Sequence, residues 1–147
     1  TSMRFFTVYG SYGRPDMAIH KFTNHILKKK KISLYEYGKN YRDFTHINDI
    51  SEMIYKLVKK PSKKFIPFNC FNLGYGKPVT SAYLCNLIQK KLKCFTKVEL
   101  IPKQLGDVTK THADTSLINN YIKYKPKIKI ENGIDEFLNW YKEYYLE

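Results

Sequence analysis

A run of large apolar residues opens the chain and constrains its fold more than any other segment. Residues 3–8 place Met, Phe, Phe and Val around one arginine, and a glycine-marked loop follows at 9–14. A short apolar run that ends in such a loop predicts a buried strand. Buried parallel strands need neighbours on both sides and helices on both faces. We therefore expect strands outside these 147 residues to complete the sheet.

Length and composition predict a single folded domain of the cytoplasm. Hydrophobic residues make up 43% and aromatic residues 16% of the chain, which is enough to bury a core. The sequence contains no run of 18 apolar residues and no signal-peptide pattern, so nothing in it predicts a membrane span or secretion. Three cysteines without a Cys-x-x-Cys pair and four scattered histidines favour reduced thiols and no metal site.

Lysine dominates the charge of the chain. Lys and Arg number 26 against 13 acidic residues, a net charge of +13, which is compatible with nucleic-acid or anionic-ligand binding. The lysines are dispersed among Asn, Ile, Tyr and Phe, as in proteins from AT-rich genomes. The run Lys28–Lys31 falls at a predicted helix end, where cations complement the helix dipole. We therefore expect neither nucleic acid nor a membrane among the partners.

Segments with strand and helix patterns alternate at short spacing, and no repeat or linker divides them. This alternation predicts one α/β unit. Apolar stripes predict helices over residues 15–30, 48–59, 81–88, 115–121 and 134–141. Period-two or apolar runs predict strands over residues 3–8, 32–37, 43–47, 68–73 and 98–101.

Several ordered blocks of the sequence resemble a known enzyme family. They are residues 4–10 (RFFTVYG), 13–17 (GRPDM), 37–39 (YGK), 42–45 (RDFT), 71–74 (FNLG), 105–108 (LGDV) and 113–116 (ADTS). Their order is similar to that in the C-terminal half of the extended short-chain dehydrogenases/reductases. Among these NAD-dependent nucleotide-sugar epimerases and dehydratases, the blocks most resemble the UDP-glucuronate 4-epimerases of capsular polysaccharide and lipopolysaccharide synthesis.

The resemblance implies an α/β fold in which residues 1–147 form the C-terminal, nucleotide-sugar-binding half, with strands that complete a Rossmann-type sheet. In the family, the NAD-binding domain, its Gly-rich loop and the catalytic Tyr-x-x-x-Lys lie upstream of the opening block. We therefore expect all three to be absent here and this chain alone to be inactive, with no catalytic residue of its own. The implied partners are a UDP-sugar and either a second copy or a separate N-terminal half. A noncatalytic split or truncated fragment and part of a 4,6-dehydratase remain alternatives.

Arginine is the side chain best suited to the phosphates and carboxylate of a UDP-uronic acid, because its guanidinium is planar and permanently charged. The chain has Arg4, Arg14 and Arg42. Arg4 lies in the opening strand and is interpreted as structural, whereas the other two lie in predicted loops. By resemblance, Arg42 binds the diphosphate and Arg14 lies near the diphosphate and sugar. The alternatives are a salt bridge of Arg42 with Asp43 or Asp49, and a solvated loop position for Arg14.

Two further polar residues are candidates through the resemblance. Thr7 corresponds to a threonine that faces the sugar, and its hydroxyl can donate to a carboxylate. Asp107 corresponds to the acid that accepts the ribose hydroxyls. For Thr7, the alternative is an ordinary β-branched strand residue.

Four aromatic residues complete the candidate set. Tyr35 and Tyr37 lie on one face of the strand predicted over residues 32–37 and correspond to positions that line the uracil site. Structural packing of these two rings is the alternative. Phe5 and Phe6 correspond to a segment whose backbone approaches the nicotinamide edge of NAD.

Overall fold

In residues 1–63 and 65–146, which the computed structural model describes, helices and short strands alternate along the chain. The helices are α1 (Ala18–Leu27), α2 (Ile47–Val58), α3 (Ser81–Leu92), α4 (Ser116–Ile122) and α5 (Ile130–Tyr145). The strands are β1 (Ser2–Phe5), β2 (Thr7–Tyr9), β3 (Ile32–Leu34), β4 (Tyr41–Arg42), β5 (Phe44–His46), β6 (Cys70–Leu73), β7 (Val79–Thr80) and β8 (Val98–Leu100). This order confirms the α/β class.

The opening segment contains two strands where one was predicted. Within the described ranges the strands form four two-stranded ladders, in which β1 pairs with β6, β2 with β5 and β3 with β8 in parallel, and β4 pairs with β7 antiparallel. The partner changes at Phe6, whose amide donates to the Leu73 carbonyl at 3.1 Å, while the Thr7 amide donates to the Asp43 carbonyl at 3.0 Å. The continuous strand over residues 3–8 was therefore wrong, because its two halves bond to different neighbours.

Strand β1 is less buried than predicted. Met3 is half-buried, whereas Arg4 and Phe5 are exposed, because β6 is the strand that pairs with β1 among the described residues. The apolar side chains of β1 therefore lack cover on their outer side. That strands from elsewhere complete this sheet stays a prediction.

Two hydrophobic clusters hold the elements together. The larger lies among α1, α3 and α5 around Ile26, Leu84 and Phe137, and the smaller joins α2, β6 and α4 around Met53 and Leu73. Each fully buried side chain of this size contributes roughly 1.5–3 kcal/mol relative to an exposed one. The predicted stripes of α1, α2 and α5 lie largely in these clusters, as expected.

Helix starts differ in detail from the sequence predictions. Helix α1 begins at Ala18, because the backbone is still extended at the preceding residue, and Pro15 is not its first helical residue. Helix α2 begins at Ile47, one residue before the predicted start, and is capped by His46, whose Nδ1 accepts the Asn48 amide at 3.4 Å. Helix α3 begins at Ser81 as predicted, and the Thr80 hydroxyl caps it by accepting an amide three residues on at 3.1 Å.

The capping residue His46 is also a buried titratable group. Its Nε2 lies 3.5 Å from the Glu136 carboxylate, and its ring meets the Tyr9 ring edge-on at 5.2 Å. Burial lowers the pKa of His46, and the charges of Glu136 and Asp49 oppose that shift. The structure therefore favours the neutral imidazole, which leaves Nδ1 free to accept the cap hydrogen bond.

No helix within the described ranges, 1–63 and 65–146, combines the length and apolar character needed to cross a bilayer.

Candidate functional site

A cavity of about 420 Å³ brings three of the predicted site residues together. Tyr35, Arg42 and Asp107 all line it, although they are far apart in sequence. It lies beyond the carboxyl end of β3, where open α/β folds bind their ligands. Its volume lies in the range of small-molecule sites. The fold therefore places these three residues around one cavity, and their role in binding a ligand stays a prediction.

Arg42 and Asp107 form an ion pair in this cavity. Arg42 Nη2 donates to Asp107 Oδ1 in a short contact, and Nη1 donates to the Tyr41 carbonyl at 2.8 Å. Their side chains are only 21% and 32% exposed. Arg42 lies in β4 rather than in a loop, and its pairing with Asp107 replaces the expected alternatives, Asp43 or Asp49. A guanidinium has five donors, so Arg42 retains donors for an anionic ligand.

Asp43, the residue after Arg42, anchors the strand end that presents the guanidinium. Its buried carboxylate accepts the amides of Tyr75 at 3.1 Å, Gly76 at 3.0 Å and Ala113 at 2.9 Å. Three amide donors satisfy a carboxylate that would be costly to bury alone. Sequence reasoning considered Asp43 only as a partner for Arg42 and missed this role.

Tyr35 and Tyr37 do not share a strand face. Strand β3 ends at Leu34, and residues 35–38 form a 3-10 turn in which Glu36 and Tyr37 have φ of 50° and 54°. Left-handed backbone costs a non-glycine residue roughly 1–2 kcal/mol. The Tyr37 amide donates to the Ile101 carbonyl at 3.0 Å, and its side chain is 54% exposed. The turn leaves Tyr35 in the cavity and Tyr37 outside its lining.

Arg14 lies beside the cavity rather than in its lining. It occupies the exposed loop between β2 and α1, where Nε and Nη2 donate to the Asp16 carboxylate at 3.0 and 2.5 Å. This hydrogen bond lowers the pKa of the Asp16 carboxyl. Asp16 itself lines the cavity, so its ion pair with Arg14 joins this loop to the cavity wall.

Thr7 and the two phenylalanines lie away from this cavity. Thr7 is half-buried at the start of β2, and its amide is bonded to the same Asp43 that anchors Arg42. Phe5 is exposed and Phe6 is half-buried at the carboxyl end of β1. Their predicted roles toward sugar and cofactor stay predictions.

The residues present do not fit a complete dinucleotide site. No Gly-x-Gly-x-x-Gly turn occurs in the sequence, and such a turn holds the pyrophosphate of NAD at a helix N-terminus. Phe5 and Phe6 supply at most an edge of a cofactor site.

The spacing Tyr-x-x-x-Lys occurs at three places in the sequence, whereas the absence of the catalytic pair stays a prediction. The spacing is found at 35/39, 55/59 and 121/125. In the helical pair, the Lys59 ammonium lies 4.0 Å from the Tyr55 ring centroid rather than at its hydroxyl. Tyr35 lines the cavity without Lys39. None of the three pairs is therefore placed together in the cavity that holds Arg42.

Sequence reasoning also missed polar residues of the cavity wall. Ser33, Asn40, Ser81 and Gln104 line it, together with Lys21, and the Ser81 hydroxyl donates to Asn40 Oδ1. Hydroxyl and amide groups suit a ligand rich in hydroxyls, and Lys21 adds a second cation. No motif marked these positions, because they converge only through the packing of α1, α3 and the 3-10 turn.

Comparison with known proteins identifies similar sequences. The chain is 46% identical over 141 residues to an uncharacterized protein of Methanocaldococcus jannaschii, covering 96% of this chain and 42% of that protein. It is 37% identical to Protein CapI of Staphylococcus aureus, covering 99% and 48%. It is 40% identical to UDP-glucuronate 4-epimerase 1 of Arabidopsis thaliana, covering 99% and 37%. The chain thus spans less than half the length of these curated relatives.

The fold is similar to that of a solved enzyme. The UDP-glucuronic acid 4-epimerase of Bacillus cereus, in complex with UDP-glucuronic acid and NAD, superposes with a TM-score of 0.88 at 26% identity. The match covers 97% of this chain and 45% of that one. Residues 1–74, half of the chain, match the model of the NAD dependent epimerase/dehydratase family, and the chain belongs to that family.

Proposed function

We propose that residues 1–147 form the sugar-nucleotide side of an NAD-dependent UDP-glucuronate 4-epimerase of surface polysaccharide synthesis. The observation that carries this proposal is the Arg42–Asp107 pair in a polar cavity beyond the end of β3. Similarity to the UDP-glucuronate 4-epimerases and to CapI supports the substrate class and the polysaccharide role.

The ion pair suggests how the nucleotide enters. A diphosphate competes with Asp107 for the Arg42 guanidinium, because both present paired anionic oxygens. Once Arg42 turns to phosphate, the Asp107 carboxylate is released to accept ribose hydroxyls. Lys21 supplies further positive charge at the cavity. On this account Arg14 adds a second charge at the rim when the loop between β2 and α1 moves. Tyr35 then offers a ring face to the base.

The sugar extends from the diphosphate toward the carboxyl end of β1 and the start of β2, where Thr7 lies. In a complete protein, Phe5 and Phe6 would lie at the edge of an NAD site, and the cofactor would supply reversible hydride transfer at C4 of the sugar. The residues of this chain bind and orient the substrate, and a tyrosine–lysine pair upstream acts as the base. On this account, tight binding of NAD needs the upstream domain.

The partner of this chain is an upstream NAD-binding half or a second copy. The exposed Phe5 side chain and the pairing of β1 with β6 alone among the described strands support such a contact, since unpaired strand edges invite pairing. A noncatalytic fragment would use the same surface without turnover.

A chimera tests the proposed reaction. The segment of the Bacillus cereus epimerase that matches this chain is replaced by residues 1–147, which leaves that enzyme's upstream half intact. We expect conversion of UDP-glucuronate to its C4 epimer, and much slower conversion in an Arg42→Ala chimera. A folded chimera that binds NAD and UDP-glucuronate without epimerising it would contradict the proposal.

A further inference from the structure

Two lysine runs that are distant in sequence meet at one end of the domain. The Thr96 hydroxyl donates to the Lys30 carbonyl at 2.8 Å, and the Ile32 amide donates to the Lys97 carbonyl at 3.0 Å. These bonds join the end of α1 to the connection between α3 and β8. We call this surface the basic tip, and its exposed residues are Lys28, Lys29, Lys30, Lys31, Lys90, Lys93, Phe95 and Lys97.

The positive charge of the basic tip is poorly neutralised. Residues 28–31 and 90–97 contain eight lysines and no acidic residue. Among the ion pairs of the described residues, Lys31 bonds Glu99 at 2.8 Å and Lys91 bonds Asp135 at 2.6 Å, and the other six lysines of these runs have no acidic partner. Complementing the dipoles of two helix ends does not require this many lysines. A cluster with this much positive charge attracts a polyanion.

An exposed aromatic residue lies within the second lysine run. Phe95 lies between Lys93 and Lys97 in sequence and is 68% exposed. An exposed phenylalanine flanked by lysines matches a partner that is both anionic and apolar. A phospholipid surface has both properties, because lysines contact headgroups while an aromatic ring enters the acyl boundary.

The orientation of the basic tip agrees with docking on a surface. Lys31 immediately precedes β3 and Lys97 immediately precedes β8, so the tip lies at the amino ends of this parallel pair. The Arg42 cavity lies beyond the carboxyl ends. A contact through the tip therefore leaves the cavity open to solvent.

We propose that the basic tip docks the protein on an anionic phospholipid bilayer. The inference is independent of the proposed function, and it revises the expectation of no membrane partner, which treated the lysines as dispersed. Nucleic acid fits less well. Phosphate contacts in nucleic-acid complexes use lysine, but they also draw on arginine forks, backbone amides and helix N-termini. The basic tip instead has no arginine and consists largely of helix carboxyl ends.

Vesicle co-sedimentation of the 147-residue chain tests the proposal. We expect binding to vesicles that contain phosphatidylglycerol, little binding to pure phosphatidylcholine, and weakening by salt. Each lysine near a charged bilayer contributes roughly a fivefold gain in binding. The variant with Lys28, Lys30, Lys90 and Lys97 changed to Gln should therefore bind at least about 100-fold more weakly. Phe95→Ala should weaken binding severalfold at unchanged charge.

A charge-matched variant separates this surface from the overall charge of the chain. It carries Gln at Lys123, Lys125, Lys127 and Lys129, four exposed lysines of another segment. We expect it to keep most vesicle binding, with circular dichroism confirming that both variants are folded. Equal losses in the two variants, or no binding of the wild-type chain, would overturn the proposal. Tighter binding to a single-stranded oligonucleotide than to vesicles, lost in the tip variant, would assign the surface to nucleic acid instead.

Discussion

Replacing Arg42 should weaken UDP binding far more than replacing a nearby lysine. Arg42 lies in the cavity with a largely buried guanidinium held by Asp107, whereas Lys39 is exposed and outside the lining. Loss of a charge-assisted phosphate contact costs about 1.5–3 kcal/mol, or roughly 10- to 150-fold in affinity. Loss of an exposed lysine costs under about 1 kcal/mol. We therefore expect Arg42→Ala to lose clearly more affinity for UDP than Lys39→Ala when UDP is titrated calorimetrically into the chain.

Asp107→Asn separates the two roles assigned to this ion pair. Removing the carboxylate frees Arg42 from its competitor, so binding of inorganic pyrophosphate should be maintained or improved. Binding of UDP should fall relative to pyrophosphate, because the ribose loses its charged acceptor. Thermal unfolding of each variant serves as the folding control. Equal losses for Arg42→Ala and Lys39→Ala in folded protein would refute the reasoning.

Three further predictions concern the rest of the chain. The chain alone should show no micromolar affinity for NAD in calorimetry, since it lacks the pyrophosphate-binding turn; measurable micromolar binding would contradict this. It should sediment as a dimer or larger species through β1, whereas a dilute monomer with residues 3–8 protected from hydrogen exchange would not fit. Because burial lowers the pKa of His46 in the folded state, stability should be full above about pH 6.5 and fall below it. The midpoint of urea unfolding should differ less between pH 7.5 and pH 5.5 in His46→Asn than in the wild-type chain. Equal differences in the two proteins would contradict this.

Helices that bury one stripe were predictable, because periodicity alone determines which side chains face the core. Ile134, Phe137, Leu138 and Tyr141 recur at helical spacing, and all four are buried in α5. Tyr83 shares that kind of spacing in α3 yet is exposed and donates to Glu131 at 2.5 Å. The spacing predicts which side of a helix faces the core. The extent of the neighbouring elements determines which residues on that side are buried.

The sequence motifs identified several residues of the candidate site, but they predicted only part of its three-dimensional arrangement. Arg42 and Asp107 were both chosen, but their contact joins residues 65 apart and no local pattern encodes it. The turn at Glu36 and Tyr37 was missed because neither residue type favours left-handed backbone. The alternating pattern therefore predicted a strand over residues 32–37, whereas β3 ends at Leu34.

The basic tip shows the same limit for charge. Lys28–Lys31 was interpreted as a run at a helix end, and the remaining lysines were interpreted as dispersed. The packing of α1 against α3 and the bonds around Thr96 place residues 28–31 and 90–97 on one surface. The local sequence shows that these segments are positively charged. Tertiary contacts determine whether their charges lie on one surface.

Mapping UDP onto the chain by two-dimensional NMR tests the central claim most directly. Amide resonances of the 147-residue chain are assigned and followed during titration with UDP, with uridine as the ligand that lacks phosphate. The account predicts saturable shifts centred on Tyr35, Arg42 and Asp107, stronger for UDP than for uridine, and largely lost in Arg42→Ala. Saturable shifts that avoid this cavity, or equal responses to UDP and uridine, would contradict it.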